Sequence, residues 1–202
     1  VSAAPPGAYC AILAAGRSRR MGAQKLLLDL GGKPLFTRSV AAAAAYPRIL
    51  VASADVARYV VPEAGLSVIV NAAPERGMTH SLALADATIA DRDAALIVML
   101  ADVPLVDAAL IARIVAARGT ADLAYPVRDG VPGHPVVFGP RPRAAIAGLP
   151  DGDTLRVLRA DPRFTRVAVP EAAEDPYADV DLPEDYERIR ARLETSPRSE
   201  NS

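Results

Sequence analysis

From Tyr9 onward, apolar runs of strand length alternate with longer segments whose apolar residues recur at helical spacing. Such alternation is the pattern of repeated βα units, in which a helix returns each strand to the sheet. It restricts the chain to an α/β fold, a three-layer sandwich with a central, mainly parallel sheet. The spacing predicts strands over residues 9–14, 49–52, 66–70, 94–100, 123–127, 136–138 and 166–169, and helices over 35–45, 79–90, 107–118, 142–147, 154–160 and 183–193. Residues 94–100 are apolar at almost every position, as suits a strand covered by helices on both faces. That run leads to Asp102, and in open sheets of this kind ligands bind beyond the carboxyl ends of the strands. The segments that follow residues 14 and 100 are therefore expected to face one site.

After Arg128 the pattern loosens into Gly130, Pro132, Gly133 and Pro135, which reads as a substrate-facing excursion. No internal repeat and no long linker divides the chain. Residues 1–194 are expected to form a single domain, and 195–202 a polar, disordered tail. With 202 residues, 51% of them hydrophobic, there is material for one sizeable core. The formal net charge of -1 provides no global basic field, so neither nucleic acid nor a membrane is expected as a partner, and a bound anion must be met locally. No basic leader stands at the start, and no segment reaches the ~18 uninterrupted apolar residues of a span. The lone Cys10 excludes an intramolecular disulfide framework, and a cytoplasmic location is the expectation. Among the 23 basic residues only Lys25 and Lys33 are lysines. A lysine kept against such an arginine bias is a candidate for a role that needs an ammonium.

The segment after the first strand, Leu13-Ala14-Ala15-Gly16-Arg17-Ser18-Arg19-Arg20-Met21-Gly22, joins glycines, a hydroxyl and three arginines, with Lys25 just beyond. Glycine lets backbone come close to a phosphate, exposed N–H groups form an anion-binding concavity, and Arg and Lys neutralise charge. The stretch is neither G-x-G-x-x-G nor G-x-x-x-x-G-K-[ST], and no ribose-binding carboxylate stands about 20 residues on. Dinucleotide oxidoreductases and P-loop NTPases thus lose their key residues here.

What these residues closely resemble is the L-A-[AG]-G-x-S-x-R-M-G-x-x-K signature of the molybdenum cofactor cytidylyltransferases and their MobA-like NTP transferase relatives, which share a glycosyltransferase-A-like nucleotidyltransferase fold. Leu13, Ala14, Ala15, Gly16, Ser18, Arg20, Met21, Gly22 and Lys25 match it. The resemblance implies that Leu13, Ala14, Ala15 and Gly16 line the base and ribose, that the loop with Arg17, Ser18 and Arg20 holds the triphosphate, and that Lys25 sits on the phosphates. A compact ammonium suits that place. Arg20, Lys25 and Asp102 are the catalytic candidates.

Four further stretches extend the likeness, which spans Tyr9 to about Tyr186. Asn71 followed by Gly77-Met78-Thr79-His80-Ser81-Leu82 resembles the family's Asn and G-M-x-x-S-L. Helix capping accounts for Gly77, Thr79 and Ser81 on their own; the resemblance adds nucleotide binding by Asn71, Gly77 and Ser81, and none by His80. Leu100-Ala101-Asp102-Val103-Pro104 carries the family's D-x-P, whose aspartate binds metal, and Mg²⁺ is a hard cation that takes one or two protein carboxylates. Asp179-Val180-Asp181-Leu182-Pro183-Glu184-Asp185 resembles D-[IV]-D-x-P-E-D. Pro183 and Glu184 fit a helix start, and one of the two preceding aspartates, Asp181 in preference to Asp179, is expected as the second metal ligand. Gly133-His134-Pro135-Val136-Val137-Phe138 matches the G-H-P-V-x-F of the cytidylyltransferase branch and makes His134 the acceptor-binding candidate. Where that branch has G-D-x-G-A-R, this chain has Gly152-Asp153-Thr154-Leu155-Arg156.

The resemblance implies an Mg²⁺-dependent transfer of CMP from CTP to the phosphate of molybdopterin, with release of pyrophosphate and, as a further partner, a client molybdoenzyme. The preference for cytidine rests on Ala15 and His134. Two other readings stay open: a sister enzyme using another nucleotide or another phosphorylated acceptor, and a non-catalytic chaperone for the cofactor, against which the two metal carboxylates speak.

Overall fold

The first apolar run forms a strand, β1 (Ala8–Ala14), whose side chains divide by parity. Cys10, Ile12 and Ala14 enter one core, and Ala11 and Leu13 the other. A strand with two buried faces needs cover on both sides, and the rest of the chain provides it. In the computed structural model, described for residues 7–16, 24–152, 155–171 and 178–195, β1 is followed by α1 (Phe36–Ala42), β2 (Arg48–Ala52), α2 (Ala54–Ala57), β3 (Leu66–Val70), α3 (Met78–Ala87), β4 (Ala95–Leu100) and α4 (Ala108–Arg118). Then come β5 (Leu123–Arg128), β6 (Val131–Pro132), β7 (Val136–Phe138), α5 (Pro140–Ala144), α6 (Leu155–Ala160), β8 (Arg166–Pro170) and α7 (Pro183–Thr195).

The eight strands form one mixed sheet in the order β3-β2-β1-β4-β7-β5-β6, with β8 also paired to β5. Strands β1 to β4 are mutually parallel, β7 runs antiparallel between β4 and β5, and β8 is parallel to β5. Phe36 and Val40 of α1, Val56 of α2, Leu110, Ile111 and Ile114 of α4 and Ile189 of α7 fill one core. Leu82 and Ala85 of α3 with Leu155 and Leu158 of α6 fill the other. These two clusters make the three layers. Burying each large aliphatic side chain contributes roughly 1.5–3 kcal/mol, so the amphipathic faces hold the helices in place.

All seven expected strands are present. The structure adds β6, a two-residue strand joined to β5 through Asp129 (φ 49) and Gly130 (φ 76). Positive φ at both central residues is what a two-residue hairpin turn requires, and the Asp-Gly pair provides it. It also adds α2, whose Ser53 hydroxyl accepts from Val56 N–H at 3.3 Å. The helix expected to reach residue 45 ends at Ala42, and that expected over 142–147 starts at Pro140 and gives way to a 3-10 turn at Ile146–Gly148. None of the described helices is long and apolar enough to cross a membrane.

Candidate active site

In the sheet, β2 and β3 lie on one side of β1 and β4 on the other, so the strand order reverses between β1 and β4. A crevice opens at such a switch point beyond the strand ends. Leu13 is paired with Leu100, and Ala101 N–H donates to the Leu13 carbonyl at 3.0 Å. This register sets Ala15 and Gly16 beside Asp102.

A cavity of about 200 Å³ occupies the crevice. Leu13, Ala15 and Gly16 line it from the end of β1, Lys25 and Leu26 from the 3-10 turn Lys25–Leu27, Pro74, Gly77, Met78 and Ser81 from the start of α3, and Leu100 and Asp102 from the end of β4. A Cβ placed on Gly16 would meet no described atom within 4 Å, so the glycine opens space toward the cavity. Ala14 points the other way, into the opposite core.

At the cavity's edge stands a charge centre. Lys25 Nζ lies 2.7 Å from Asp102 Oδ2 and 2.7 Å from Asp181 Oδ1. Burial opposes the ammonium charge, and the two carboxylates more than offset it, so the Lys25 pKa lies above the ordinary lysine value. Asp181 is brought in by α7: the Asp185 carboxylate accepts from Leu182 N–H at 2.9 Å and Asp181 N–H at 3.2 Å, the return half of a capping box. Val180 N–H donates to the Asp102 carbonyl at 3.0 Å and ties the segment to β4. Asp179 lies near the same centre. Partial desolvation, and then the charges of Asp181 and Asp102, raise its pKa.

Asp102 Oδ1 is buried and accepts no hydrogen bond among the described residues. An unsatisfied buried carboxylate oxygen is costly, and a cation would satisfy it. No three His, Cys, Asp or Glu side chains gather among the described residues into a metal cage. Two carboxylates, one with a bare oxygen, suit a hard cation that completes its shell with water and phosphate oxygens.

Asn71 and Ser81 are joined to each other: Asn71 Nδ2 donates to Ser81 Oγ at 2.9 Å, and Ala73 N–H donates to Asn71 Oδ1 at 2.8 Å. Ser81 and Gly77 reach the cavity, whereas Asn71 is buried behind them and fixes the approach to α3. Gly77 has φ +87, and a Cβ there would lie 3.0 Å from Gly152 Cα. Gly152 N–H donates to the Arg76 carbonyl at 3.0 Å, and Thr79 Oγ1 to the Pro150 carbonyl at 3.1 Å. The divergent Gly152 segment is thus packed directly on the start of α3. Arg17, Ser18 and Arg20, with Met21, Gly22, Asp153 and Thr154, lie outside the described residues.

A second cavity, of about 870 Å³, adjoins the first and shares Met78 and Leu100 with it. His134 lines it, together with Asp179 and with Arg128, Arg156 and Arg159, three arginines to which sequence reasoning assigned no role. The spacing of Arg156 and Arg159, three residues apart and flanked by buried Leu155 and Leu158, was the available signal. His134 Nδ1 lies 3.3 Å from the Val98 carbonyl. Since a carbonyl only accepts, Nδ1 carries the proton and Nε2 is left as an acceptor. Burial holds the His134 pKa below the ordinary histidine value; the Val98 carbonyl and Asp102 pull upward, and Arg159 pulls down.

Solved structures with this architecture include a homologue of Rv0371c from Mycobacterium sp. strain JC1, at 27% identity with a TM-score of 0.78 over 92% of this chain and 96% of that one. Rv0371c from Mycobacterium tuberculosis H37Rv, in complex with manganese, shares 24% identity with a TM-score of 0.75 over 94% of this chain and 100% of that one. The molybdopterin-guanine dinucleotide biosynthesis protein A from Archaeoglobus fulgidus shares the fold at 16% identity, with a TM-score of 0.70 over 93% and 100% of the two chains. No protein of curated function matches the chain. Residues 10–167 match the MobA-like NTP transferase domain, and they contain most of β1, all of β4 and the crevice between them; the chain belongs to the MobA-like NTP transferase family and is a nucleotidyltransferase.

Proposed function

We propose that the protein transfers CMP from CTP to the phosphate of molybdopterin, free or carrying Mo, forming the dinucleotide cofactor and pyrophosphate. The observation that carries this reading is a pair of adjoining cavities with Met78 and Leu100 as common walls: a small one lined by Ala15, Gly16, Lys25 and Asp102, and a larger one lined by His134 and Asp179. The nucleotide enters the smaller cavity, whose modest volume supports a pyrimidine base. The acceptor enters the larger, which lies within the range of pockets that enclose compact organic ligands.

In the reaction an acceptor phosphate oxygen attacks the α-phosphorus, a new P–O–P bond forms, and the bond to the β-phosphate breaks with both electrons leaving on pyrophosphate. A phosphomonoester is already largely ionised at neutral pH, with a second pKa of about 6, so no strong general base is needed. Alignment and charge neutralisation suffice. Lys25 places a positive charge in the smaller cavity, Gly16 allows close approach, and the neutral His134 accepts a hydrogen bond from an N–H or O–H of the acceptor. A Mg²⁺ ion held by Asp102 and Asp181 would neutralise charge on the triphosphate. Arg17, Ser18 and Arg20 are proposed for the phosphates on the resemblance alone, and Asn71 as a residue that positions Ser81. A cytoplasmic location accords with the proposed substrates.

A second reading is favoured by Leu155 and Arg156, which replace small residues of the branch motif beside the acceptor cavity: the same transfer, to another phosphorylated acceptor. The test is a panel of CTP, GTP, ATP and UTP with Mg²⁺ and molybdopterin, followed by pyrophosphate release. CTP-dependent release supports the first reading, and release only with another phosphomonoester supports the second. No turnover with any triphosphate would overturn both in favour of a cofactor-binding chaperone.

A further inference from the structure

The arginines of the second cavity are not accounted for by phosphoryl chemistry at Asp102. Elsewhere a buried arginine of this chain is saturated: Arg143 pairs with Asp86 and donates to the carbonyls of Asp91 at 2.6 Å, Ala94 at 3.0 Å and Ile89 at 3.3 Å. Arg159 is different. Its guanidinium lies 5.3 Å from the centre of the Tyr125 ring, is half-buried, and meets no carboxylate or carbonyl among the described residues. Burial lowers its pKa, Tyr125 opposes that, and the neighbouring Arg156 adds to the lowering. Arg156 stands one turn earlier on the same helix, and Arg128 enters from the end of β5. The charge of Arg159 also reaches His134, which feels Asp102 from the other side. The cavity thus carries Asp179 on one wall, Arg156 and Arg159 on the wall formed by α6, and Arg128 beside Asp129, 3.5 Å away, at the end of β5.

A planar guanidinium stacked on a ring has one face fixed and its N–H edge open, the arrangement that receives an oxyanion in a fork. We propose that Arg159, assisted by Arg156, binds a second anionic oxygen group of the acceptor, distinct from the phosphate that attacks. The acceptor class is then a phosphomonoester bearing a further oxyanion at its other end. This rests on the transfer reaction proposed above. The oxo ligands of a molybdenum-loaded pterin would meet the requirement, and so would a carboxylate.

The experiment measures binding by calorimetry to the full chain loaded with Mg²⁺ and a non-hydrolysable CTP analogue, for wild type, Arg159→Met and Arg159→Lys. One arm compares 3-phosphoglycerate with glycerol 3-phosphate, which lacks the carboxylate. The other compares molybdopterin with and without Mo. Wild type is expected to favour the member that carries the additional oxygen group, 3-phosphoglycerate or the Mo-loaded pterin, in at least one pair by tenfold or more, Arg159→Met to lose that preference, and Arg159→Lys to retain part of it. The arm that shows the preference identifies the oxyanion. Equal binding within both pairs, or a preference that survives in Arg159→Met, would overturn the proposal. Should Arg159→Met fold poorly, the exposed Arg156→Gln is read in its place, with a weakened preference expected and an unchanged one counting against. Binding of the CTP analogue separates the two ideas: if it binds and CTP turns over while neither pair is discriminated, only this proposal fails, and if it does not bind, the transfer reaction fails.

Discussion

The two cavities that share Met78 and Leu100 are built largely by different halves of the sheet. The proposed donor side rests on β1 to β4, parallel strands joined by helices, whose ends are levelled by register: Asn71 N–H donates to the Ala52 carbonyl at 2.9 Å and Ser53 N–H to that of Ala14 at 3.3 Å. The proposed acceptor side rests on β5 to β7, an antiparallel arrangement with a tight turn, a short strand and a Gly-His-Pro segment. Regular units yield a small cavity with a short list of walls, and irregular ones a larger cavity whose chemistry sits on loops and one short helix. A family can keep the first constant while the second changes.

Substitutions can test whether the halves are separable. Asp102→Asn removes the carboxylate charge of the smaller cavity and is expected to lower turnover by about 10²–10³-fold or more with either substrate varied, while the melting temperature changes little; undiminished pyrophosphate release would detach Asp102 from the chemistry. Lys25→Met should lower the rate by about 10²-fold and leave Asp102 and Asp181 to repel one another. Because the folded-state pKa of Lys25 is raised, the stability it contributes is fully present below the ordinary lysine pKa of about 10.4 and fades as pH rises through the higher folded value. Denaturant titrations should therefore show a gap between wild type and Lys25→Met that is constant at neutral pH and closes only in strong alkali.

Gly77→Ala tests the seam behind both cavities. With φ +87 and a Cβ 3.0 Å from Gly152 Cα, it should destabilise the fold by about 1–3 kcal/mol and raise KM for nucleotide and acceptor together. A change in only one KM would show that the seam does not couple the halves. His134→Ala is expected to raise the acceptor KM about tenfold, the worth of one lost hydrogen bond, with nucleotide binding unaltered. An equal change in nucleotide affinity would break the division of labour.

The same contrast governs how much was legible in the sequence. Residues 94–100 and 9–14 had to be strands because their apolar runs are too short for helices and buried on both faces, and the ligand-facing ends followed from sheet topology. The placement of Ala15, Gly16, Lys25 and Asp102 around one cavity was readable on that basis. The Lys25–Asp181 contact was not, because nothing local records which distant carboxylate a lysine will meet. Asn71 carried a motif, yet its side chain is engaged with Ser81 and Ala73, a partnership that a motif does not encode. β6 had a local signal, Asp129-Gly130, that the surrounding prolines obscured. Arg159 had no motif at all; its meaning comes from Tyr125, on a strand far away in the chain.

Lys25 and Asp181 lie 156 residues apart in sequence, and Asp181 is held by the cap of the final described helix. During synthesis, which proceeds from the amino terminus, the glycine-rich segment and the donor-side strands leave the ribosome long before that cap exists. A nascent chain can thus present the walls of a nucleotide site without its complete charge centre. On the proposed reading, in which Asp181 serves the reaction, the late position of this carboxylate would tie competence to completion of the fold.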